Sequence, residues 1–311
     1  MLSRRNIRIK VMQMLYSMSQ DKTLVVEDVI RRYRLSIEKS YDLYLFTLLS
    51  LIRTAEYANH DKAKKMAKLL PSDQDKSFTA VLAENPAILS LSQNEGLNDL
   101  FRRRKLKNRM EQDNIRLFYQ ELVKTEEYKQ YSRQTTFADQ DHIEMLLLLF
   151  KLLVNNEAYN DFLEDNFSNW IDDESLVVGA VKKTLKALPA DSGFYLEHKP
   201  TGETVEDFGE ELLRQVIEED TDLLALIEPT LRNWDVDRVA VIDMILLKMA
   251  VCELTSFPSI PTKVTLNEFV EISKLYSTDK SKDFINGILD RLMKQLEEAG
   301  KIKKEGRGLK G

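Results

Sequence analysis

Several residue types and patterns are scarce in this chain, and their scarcity narrows the fold and the compartment. The 311 residues include one cysteine, Cys252, ten glycines and seven prolines. A single cysteine excludes an internal disulfide and suits a reducing cytoplasm, and so few glycines and prolines favour helices over sheets. No apolar run reaches the roughly 18 residues of a membrane span, and the basic N-terminus lacks the apolar core of a signal peptide. We therefore expect a cytoplasmic protein without a membrane segment.

Motifs of common catalytic and metal sites are missing as well. The sequence has no glycine-rich phosphate loop, no dinucleotide-binding glycine pattern and no serine nucleophile elbow. The histidines His60, His142 and His198 are too far apart in sequence for metal-ligand spacing. Cys252 lies in the apolar run 242–254, which predicts a buried and unreactive thiol. The sequence thus predicts no enzyme activity, no metal and no cofactor.

Apolar residues recur at helical spacing along most of the chain. Residues 7–18 carry the apolar stripe of a first helix, and Ser3 is positioned as its N-cap. A second helical segment is predicted over 26–70, with a break near Lys39 or Asn59. Because strand patterns are nearly absent, the predicted fold class is all-α.

The middle of the chain contains a candidate internal repeat. With a shift of 64 residues, 141–188 aligns without a gap to 205–252. The shared pattern E-x-x-x-x-N-W-x-x-D places Trp170 opposite Trp234. Two amphipathic helices can also agree by chance, so coincidence stays open as the alternative. If the repeat is real, the two tryptophans occupy equivalent places in two similar helical arrangements.

The net charge of −6 conceals basic segments. Residues 1–20 carry four basic residues and no acid, and 301–311 carry five basic residues and one acid. A basic pole on an acidic body is compatible with nucleic-acid binding. The run Arg102–Arg109 has six basic residues in eight; it is either a solvated helix face or an additional RNA surface.

Two clusters combine basic and aromatic residues. Arg5, Arg8, Met12 and Tyr16 form one ridge along the first helix, where guanidinium groups could bind phosphates; the alternative is a solvated basic helix start. The second cluster comprises Tyr276, Lys280, Lys282, Phe284 and Asn286. A helix N-terminus with nearby lysines attracts phosphate, and an exposed aromatic ring can stack on a base. Phe284 also continues an apolar seam, so burial in the core is its alternative role.

The residues 261–291 contain a longer pattern. It reads P-x-K-V-x-x-N-E-x-V-E-x-(S/A)-K and then S-x-x-F-(I/V)-N-G-(I/V)-L-D. This pattern resembles the C-terminal signature of the NusB family of bacterial transcription antitermination factors, and 3–16 is similar to that family's arginine-rich first helix. The matching residues are Pro261, Lys263, Val264, Asn267, Glu268, Val270, Glu271, Lys274, Ser281, Phe284, Asn286, Gly287 and Leu289.

The resemblance implies a NusB-like helical bundle that is enlarged by an additional helical region. Its N-terminal part would be 1–70, and its C-terminal helical domain would be 204–298. Between them, 71–203 would be an inserted helical region that contains the possible degenerate repeat 141–188. The last residues, 299–311, would be a flexible basic tail.

The resemblance also implies a function. The protein would bind boxA-like single-stranded RNA together with NusE, a small-subunit ribosomal protein, on the RNA polymerase elongation complex, and promote transcription of ribosomal RNA operons. Tyr16 and Asp243 match positions that face the protein partner; the family more often has glutamate at the second. The implied RNA contacts are Arg4, Arg5, Arg8, Tyr276, Lys280, Lys282, Phe284 and Asn286.

Two other functions stay open from the sequence. NusB-like domains also occur fused to RNA methyltransferases, although this chain lacks a glycine-rich cofactor loop and Cys252 lies within a helical pattern. The third possibility is a protein-interaction scaffold that does not bind RNA. Binding to boxA-like RNA, with and without NusE, separates the first function from the third.

Overall fold

The structure is a computed structural model that describes residues 2–109, 112–231, 238–278 and 280–309. Every regular element in these ranges is helical, and none of them contains a strand, which confirms the all-α prediction. No helix within the same ranges is long and apolar enough to cross a membrane.

Sixteen α-helices, several of them very short, follow one another along the described chain. They are α1 (Arg4–Gln20), α2 (Val26–Met66), α3 (Asp73–Lys76), α4 (Pro86–Ser92), α5 (Glu95–Arg103), α6 (Gln112–Lys124), α7 (Glu126–Tyr131), α8 (Asp139–Val154), α9 (Glu157–Asn166), α10 (Trp170–Lys186), α11 (Gly202–Thr204), α12 (Glu211–Glu218), α13 (Asp220–Ile227), α14 (Val241–Ser256), α15 (Thr262–Tyr276) and α16 (Ser281–Glu298). A π-helical segment covers Val205–Glu210, and 3₁₀ turns cover Leu106–Asn108, Phe194–His198, Glu228–Leu231 and Gly306–Leu309.

The chain forms two compact units. The central unit is Glu38–Lys199, and the terminal unit combines Leu2–Ile37 with Pro200–Gly311. Each unit has its own hydrophobic core, and α2 contributes residues to both. The boundary between the two units at Lys199 and Pro200 lies within the segment 189–202, which contains prolines and glycines. The domain limits given above stay a prediction.

The first two helices show how local sequence sets helix ends. Ser3 is the N-cap of α1, as predicted: its hydroxyl accepts a hydrogen bond from the backbone N–H of Asn6, whose side chain in turn accepts from the backbone N–H of Ser3. The predicted break in the second helix is wrong, because α2 runs unbroken through Lys39 and Asn59. No glycine or proline occurs within α2, and polar residues alone do not end a helix.

Helix α14 is the centre of the terminal unit, since most of its residues are buried. Helices α1, α12, α13, α15 and α16 pack around it. Helix α1 contributes Ile7, Val11 and Leu15 to the shared core, and α16 contributes Ile285 and Leu289. These side chains recur at four-residue spacing, so each of the two helices presents one apolar stripe to α14.

The C-terminal segment contacts the end of α14. The Lys304 ammonium donates to the backbone carbonyls of Glu253 and Phe257, at 3.2 and 3.0 Å. The backbone N–H of Glu305 donates to the carbonyl of Pro258 at 3.0 Å. A cation at a helix C-terminus can hydrogen-bond the last carbonyls and interacts favourably with the helix dipole. Burial of Lys304 lowers the pKa of its ammonium group.

The candidate repeat can be followed in part. The shift of 64 residues places the end of α8, Val154, on Glu218, where α12 ends. Leu149 and its counterpart Leu213 are both completely buried. Trp170 is buried at the start of α10, but Trp234 lies outside the described residues. The equivalence of the two tryptophans therefore stays a prediction.

Candidate RNA interface

Arg8 lies in the core of the terminal unit. Its Nε and Nη2 donate to the two carboxylate oxygens of Glu253, both at 2.7 Å. Arg8 is 1% exposed and Glu253 is completely buried. The Thr265 hydroxyl also donates to Glu253, at 2.7 Å, and the guanidinium lies 5.1 Å from the ring centre of Phe208. Arg8 thus joins α1 to α14, and a phosphate contact by this guanidinium would require the buried pair to open.

Arg4 and Arg5 lie nearer the surface on the same helix. Arg5 makes a bidentate pair with Glu268 on α15, at 2.7 and 2.8 Å, and its side chain is 45% exposed. The hydrogen bonds from Arg5 lower the pKa of the Glu268 carboxyl, and the same contact raises the pKa of Arg5. Arg4 is 3.5 Å from Glu203. Both guanidinium groups are accessible, although each already has a carboxylate neighbour.

The second cluster surrounds the start of α16. Lys280, Lys282 and Asn286 are exposed, whereas Tyr276 and Phe284 are half-buried and pack against the core. Phe284 thus packs against the core without being fully buried, so the structure excludes neither of its two alternative roles. The arrangement offers two lysines and two partly accessible rings at one helix N-terminus.

Asp243 holds the loop that carries this cluster. Its carboxylate accepts hydrogen bonds from the hydroxyls of Ser277 and Ser281, at 2.6 and 2.7 Å, and Asp243 is 5% exposed. The Ser277 and Ser281 hydroxyl oxygens also lie 2.8 Å apart. Because Asp243 lies on α14, these bonds tie the loop between α15 and α16 to the central helix of the unit. Tyr16, the other residue expected to face a partner, is 41% exposed.

Part of this sequence is similar to known proteins. Residues 148–294 match the model of the NusB family. Transcription antitermination protein NusB of Salinibacter ruber is 41% identical over 105 residues, which are 34% of this chain and 66% of that protein. The same-named protein of Chloroherpeton thalassium is 40% identical over 103 residues, 33% of this chain and 49% of that protein. That of Listeria monocytogenes is 42% identical over 84 residues, 27% of this chain and 66% of that protein.

This chain contains a NusB-family domain. The resemblance drawn from the C-terminal pattern is thereby confirmed. The chain spans 49% to 66% of the length of these curated relatives, and no solved structure matches it. The family match begins within α8 and ends within α16, so it covers part of the central unit and most of the C-terminal helices. The family is one of transcription antitermination factors.

A groove opens beside the core of the terminal unit. It has a volume of about 450 Å³ and lies between the end of α1, the helices α12 and α13, and the start of α14. Its lining is mainly apolar and includes Leu15, Met18, Leu224 and Met244. Lys248, which pairs with Asp220, also lines it. Tyr16 is adjacent in sequence to the lining residue Leu15.

Sequence reasoning missed the acidic partners in the NusB-family domain. Glu253 carried a signal, because it is an acid inside the apolar run 242–254, and buried charges need a partner. Glu268 was identified only as a position of the 261–291 pattern, and its partner, the Arg5 side chain, was not. Neither partner could be assigned from spacing, since Arg8 and Glu253 are 245 residues apart.

The described residues contain no candidate metal site. Among them, no group of three or more His, Cys, Asp or Glu side chains could hold a metal ion. Cys252 is completely buried, as predicted, and burial raises the pKa of its thiol. Its thiol contacts the Gln215 side chain at 3.4 Å.

Proposed function

We propose that this protein is a non-catalytic, cytoplasmic RNA-binding factor for transcription antitermination. It would bind boxA-like single-stranded RNA together with NusE on the RNA polymerase elongation complex, and so favour transcription of ribosomal RNA operons. The observation that carries the proposal is the NusB-family match over 148–294, with relatives named transcription antitermination protein NusB.

The RNA surface of this proposal is the start of α16. Lys280 and Lys282 are exposed there, and the N-terminus of an 18-residue helix adds backbone N–H groups that favour phosphate. Phe284 and Tyr276 offer partly accessible rings on which a base can stack. Asn286 is exposed on the second turn and can hydrogen-bond a base or a sugar.

The three arginines of α1 have different proposed roles in RNA binding. Arg4 and Arg5 are accessible, so they can exchange or share their carboxylate neighbours with RNA phosphates. Arg8 is buried, and we assign it a positioning role, since it fixes α1 to α14. Asp243 likewise positions the loop that carries Lys280.

The partner surface of the proposal lies near Tyr16. Its ring is partly exposed, and the neighbouring apolar groove can bury side chains of a protein partner. NusE is the proposed occupant, by the family resemblance. Asp243 would influence NusE binding through the loop that it orders, because its carboxylate is bonded to Ser277 and Ser281 and buried.

Filter binding to boxA-like RNA, with and without NusE, tests this function. The double variant Lys280→Gln/Lys282→Gln should bind more weakly, and the log–log salt slope should fall by about 1.4, at ~0.7 per lost phosphate contact on a single strand. Lys263→Gln/Lys294→Gln removes the same charge from two other exposed lysines of the domain and should leave the slope nearly unchanged.

Phe284→Ala separates stacking from charge. It should weaken RNA binding by roughly 1–3 kcal/mol with little change in salt slope. Because the ring is half-buried, its cost to folding should stay below the roughly 3–5 kcal/mol of a fully buried phenylalanine. NusE binding without any RNA binding would instead support the scaffold alternative, and methyl transfer to RNA would support the enzyme alternative.

A further inference from the structure

The basic run Arg102–Arg109 in the central unit is only partly neutralised. Arg102 pairs with Asp99 at 2.6 Å, and Lys107 donates to the Asn98 side chain at 3.1 Å. Arg103 and Lys105 are exposed, and neither has an acidic partner within ion-pair distance in the described part of the chain. Arg103 and Lys105 thus remain available to an outside anion.

Arg104 anchors this run to α2. Its Nη1 donates to Asp42 at 2.6 Å and its Nη2 to Glu38 at 2.7 Å. The guanidinium also lies 5.1 Å from the ring centre of Tyr41. Because this arginine is held from three directions, its neighbours Arg103 and Lys105 are presented from a fixed backbone.

The backbone at Lys105 is strained. Its φ is +56°, and no other non-glycine residue in the described ranges has a positive φ. A lysine in the left-handed region has an energetic cost, and residues held in this way cluster at functional sites. The strain ends α5 with a sharp turn and leaves the Lys105 side chain exposed.

A cleft of about 310 Å³ adjoins the run, and its walls are fixed. Tyr195 crosses the first turn of α5 at Gly96, where a Cβ atom would lie 2.1 Å from the tyrosine hydroxyl oxygen. The Tyr41 hydroxyl donates to the Tyr195 carbonyl at 3.0 Å. Arg103 and Lys199 line the cleft, and Lys199 is exposed without an acidic partner in the described residues.

We propose that this cleft and the adjoining turn bind the phosphate backbone of single-stranded RNA, as a second RNA surface separate from the start of α16. The cations are Arg103, Lys105 and Lys199. They extend from the cleft onto the turn, which suits the repeated charges of a polyanion better than one small anion. This inference rests on the proposed RNA-binding function.

The test uses the whole 311-residue chain and poly-uridine, whose binding reports phosphate contacts without sequence readout. The triple variant Arg103→Gln/Lys105→Gln/Lys199→Gln should bind more weakly, and its log–log salt slope should fall by about 2, at ~0.7 per contact. The control Lys124→Gln/Lys151→Gln/Lys182→Gln removes equal charge from exposed lysines elsewhere in the central unit. It should change the slope much less.

Equal slopes for the triple variant and its control would overturn the second surface. So would a wild-type protein that binds poly-glutamate but not poly-uridine, since the cleft would then suit an acidic protein. The proposed function has its own readout, binding of boxA-like RNA with NusE. If Lys280→Gln/Lys282→Gln weakens that binding while the triple variant matches its control, only the second surface fails.

Discussion

The terminal and central units bury polar groups of different kinds. In the terminal unit, the charged side chains of Arg8 and Glu253 are enclosed together in the core. In the central unit, the largest buried polar side chains are tyrosines, whose hydroxyls pair mainly with neutral partners, although Tyr119 also donates to the Asp61 carboxylate at 3.3 Å. Examples are Tyr44 with Thr184 at 2.8 Å and Tyr159 with Ser50 at 3.2 Å. The two cores should therefore respond differently to the loss of one partner.

The difference follows from desolvation. Removing one member of a buried ion pair leaves an unpaired charge, which costs roughly 3–5 kcal/mol. Removing one hydroxyl from a neutral pair costs about 1 kcal/mol. The largest sensitivity of the terminal unit is therefore expected at the buried ion pair that joins α1 to α14, whereas the tyrosine hydroxyls of the central unit should each contribute less.

The largest expected effect is at Arg8. Arg8→Met should destabilise the terminal unit by roughly 3–5 kcal/mol, because Glu253 remains buried without its cation. Arg8→Met/Glu253→Met should recover much of that loss, since no unpaired charge is left. Hydrogen exchange of peptides from each unit measures where protection is lost. If Arg8→Met weakened RNA binding without any loss of stability, the contrast between the units would fail and Arg8 would contact phosphate directly.

A matched pair of leucines tests whether the two cores are independent. Leu149 and Leu213 are related by the shift of 64 residues, and both are completely buried, one in each core. Leu149→Ala and Leu213→Ala should each cost about 2–5 kcal/mol through lost transfer energy and a cavity. Hydrogen exchange should rise in the mutated unit alone. Increased exchange throughout both units after either change would show that they unfold as one.

The sequence alone predicted the features that depend on residues close together in the chain. The apolar stripe and the cap at Ser3 located α1, and the apolar run around Cys252 indicated a buried thiol. The break expected near Lys39 or Asn59 was wrong. Helix α2 contains no glycine or proline, and it continues through both of these polar residues.

Contacts between residues far apart in the sequence could not be predicted from the sequence alone. The spacing of Arg5 and Arg8 placed both on one ridge, but it could not show that Glu253 lies against the second of them. The same limit applied to the loop before α16, where the bonds from Ser277 and Ser281 to Asp243 join residues 34 and 38 positions apart. Helical spacing identifies faces, whereas the partner of a charged side chain depends on tertiary packing.

A tyrosine substitution probes the weaker interactions of the central unit. Tyr159→Phe removes the hydroxyl that donates to Ser50 and keeps the ring, so we expect a loss of about 0.5–1.5 kcal/mol. The loss of stability is measured by urea unfolding, with hydrogen exchange of peptides from the central unit as the readout. A loss as large as that of Arg8→Met would show that the hydroxyl network is as sensitive as the buried ion pair, and the contrast would disappear.

The smallest effect is expected at the surface pair of Arg5 and Glu268, and it should depend on pH. Arg5 lowers the pKa of Glu268 in the folded state, so the folded protein holds its charged carboxylate more strongly than the unfolded chain does. The stabilisation is therefore present above the ordinary glutamate pKa of about 4.3 and is lost as pH falls through the lowered value. Because the Arg5 side chain is 45% exposed, the contribution should stay within about 0.2–1 kcal/mol and shrink in salt. Glu268→Gln should cost that amount at neutral pH and nothing once the wild-type carboxyl is protonated, as measured by urea unfolding across this range. A pH-independent cost would mean that Glu268 stabilises the helices by packing, and not by its charge.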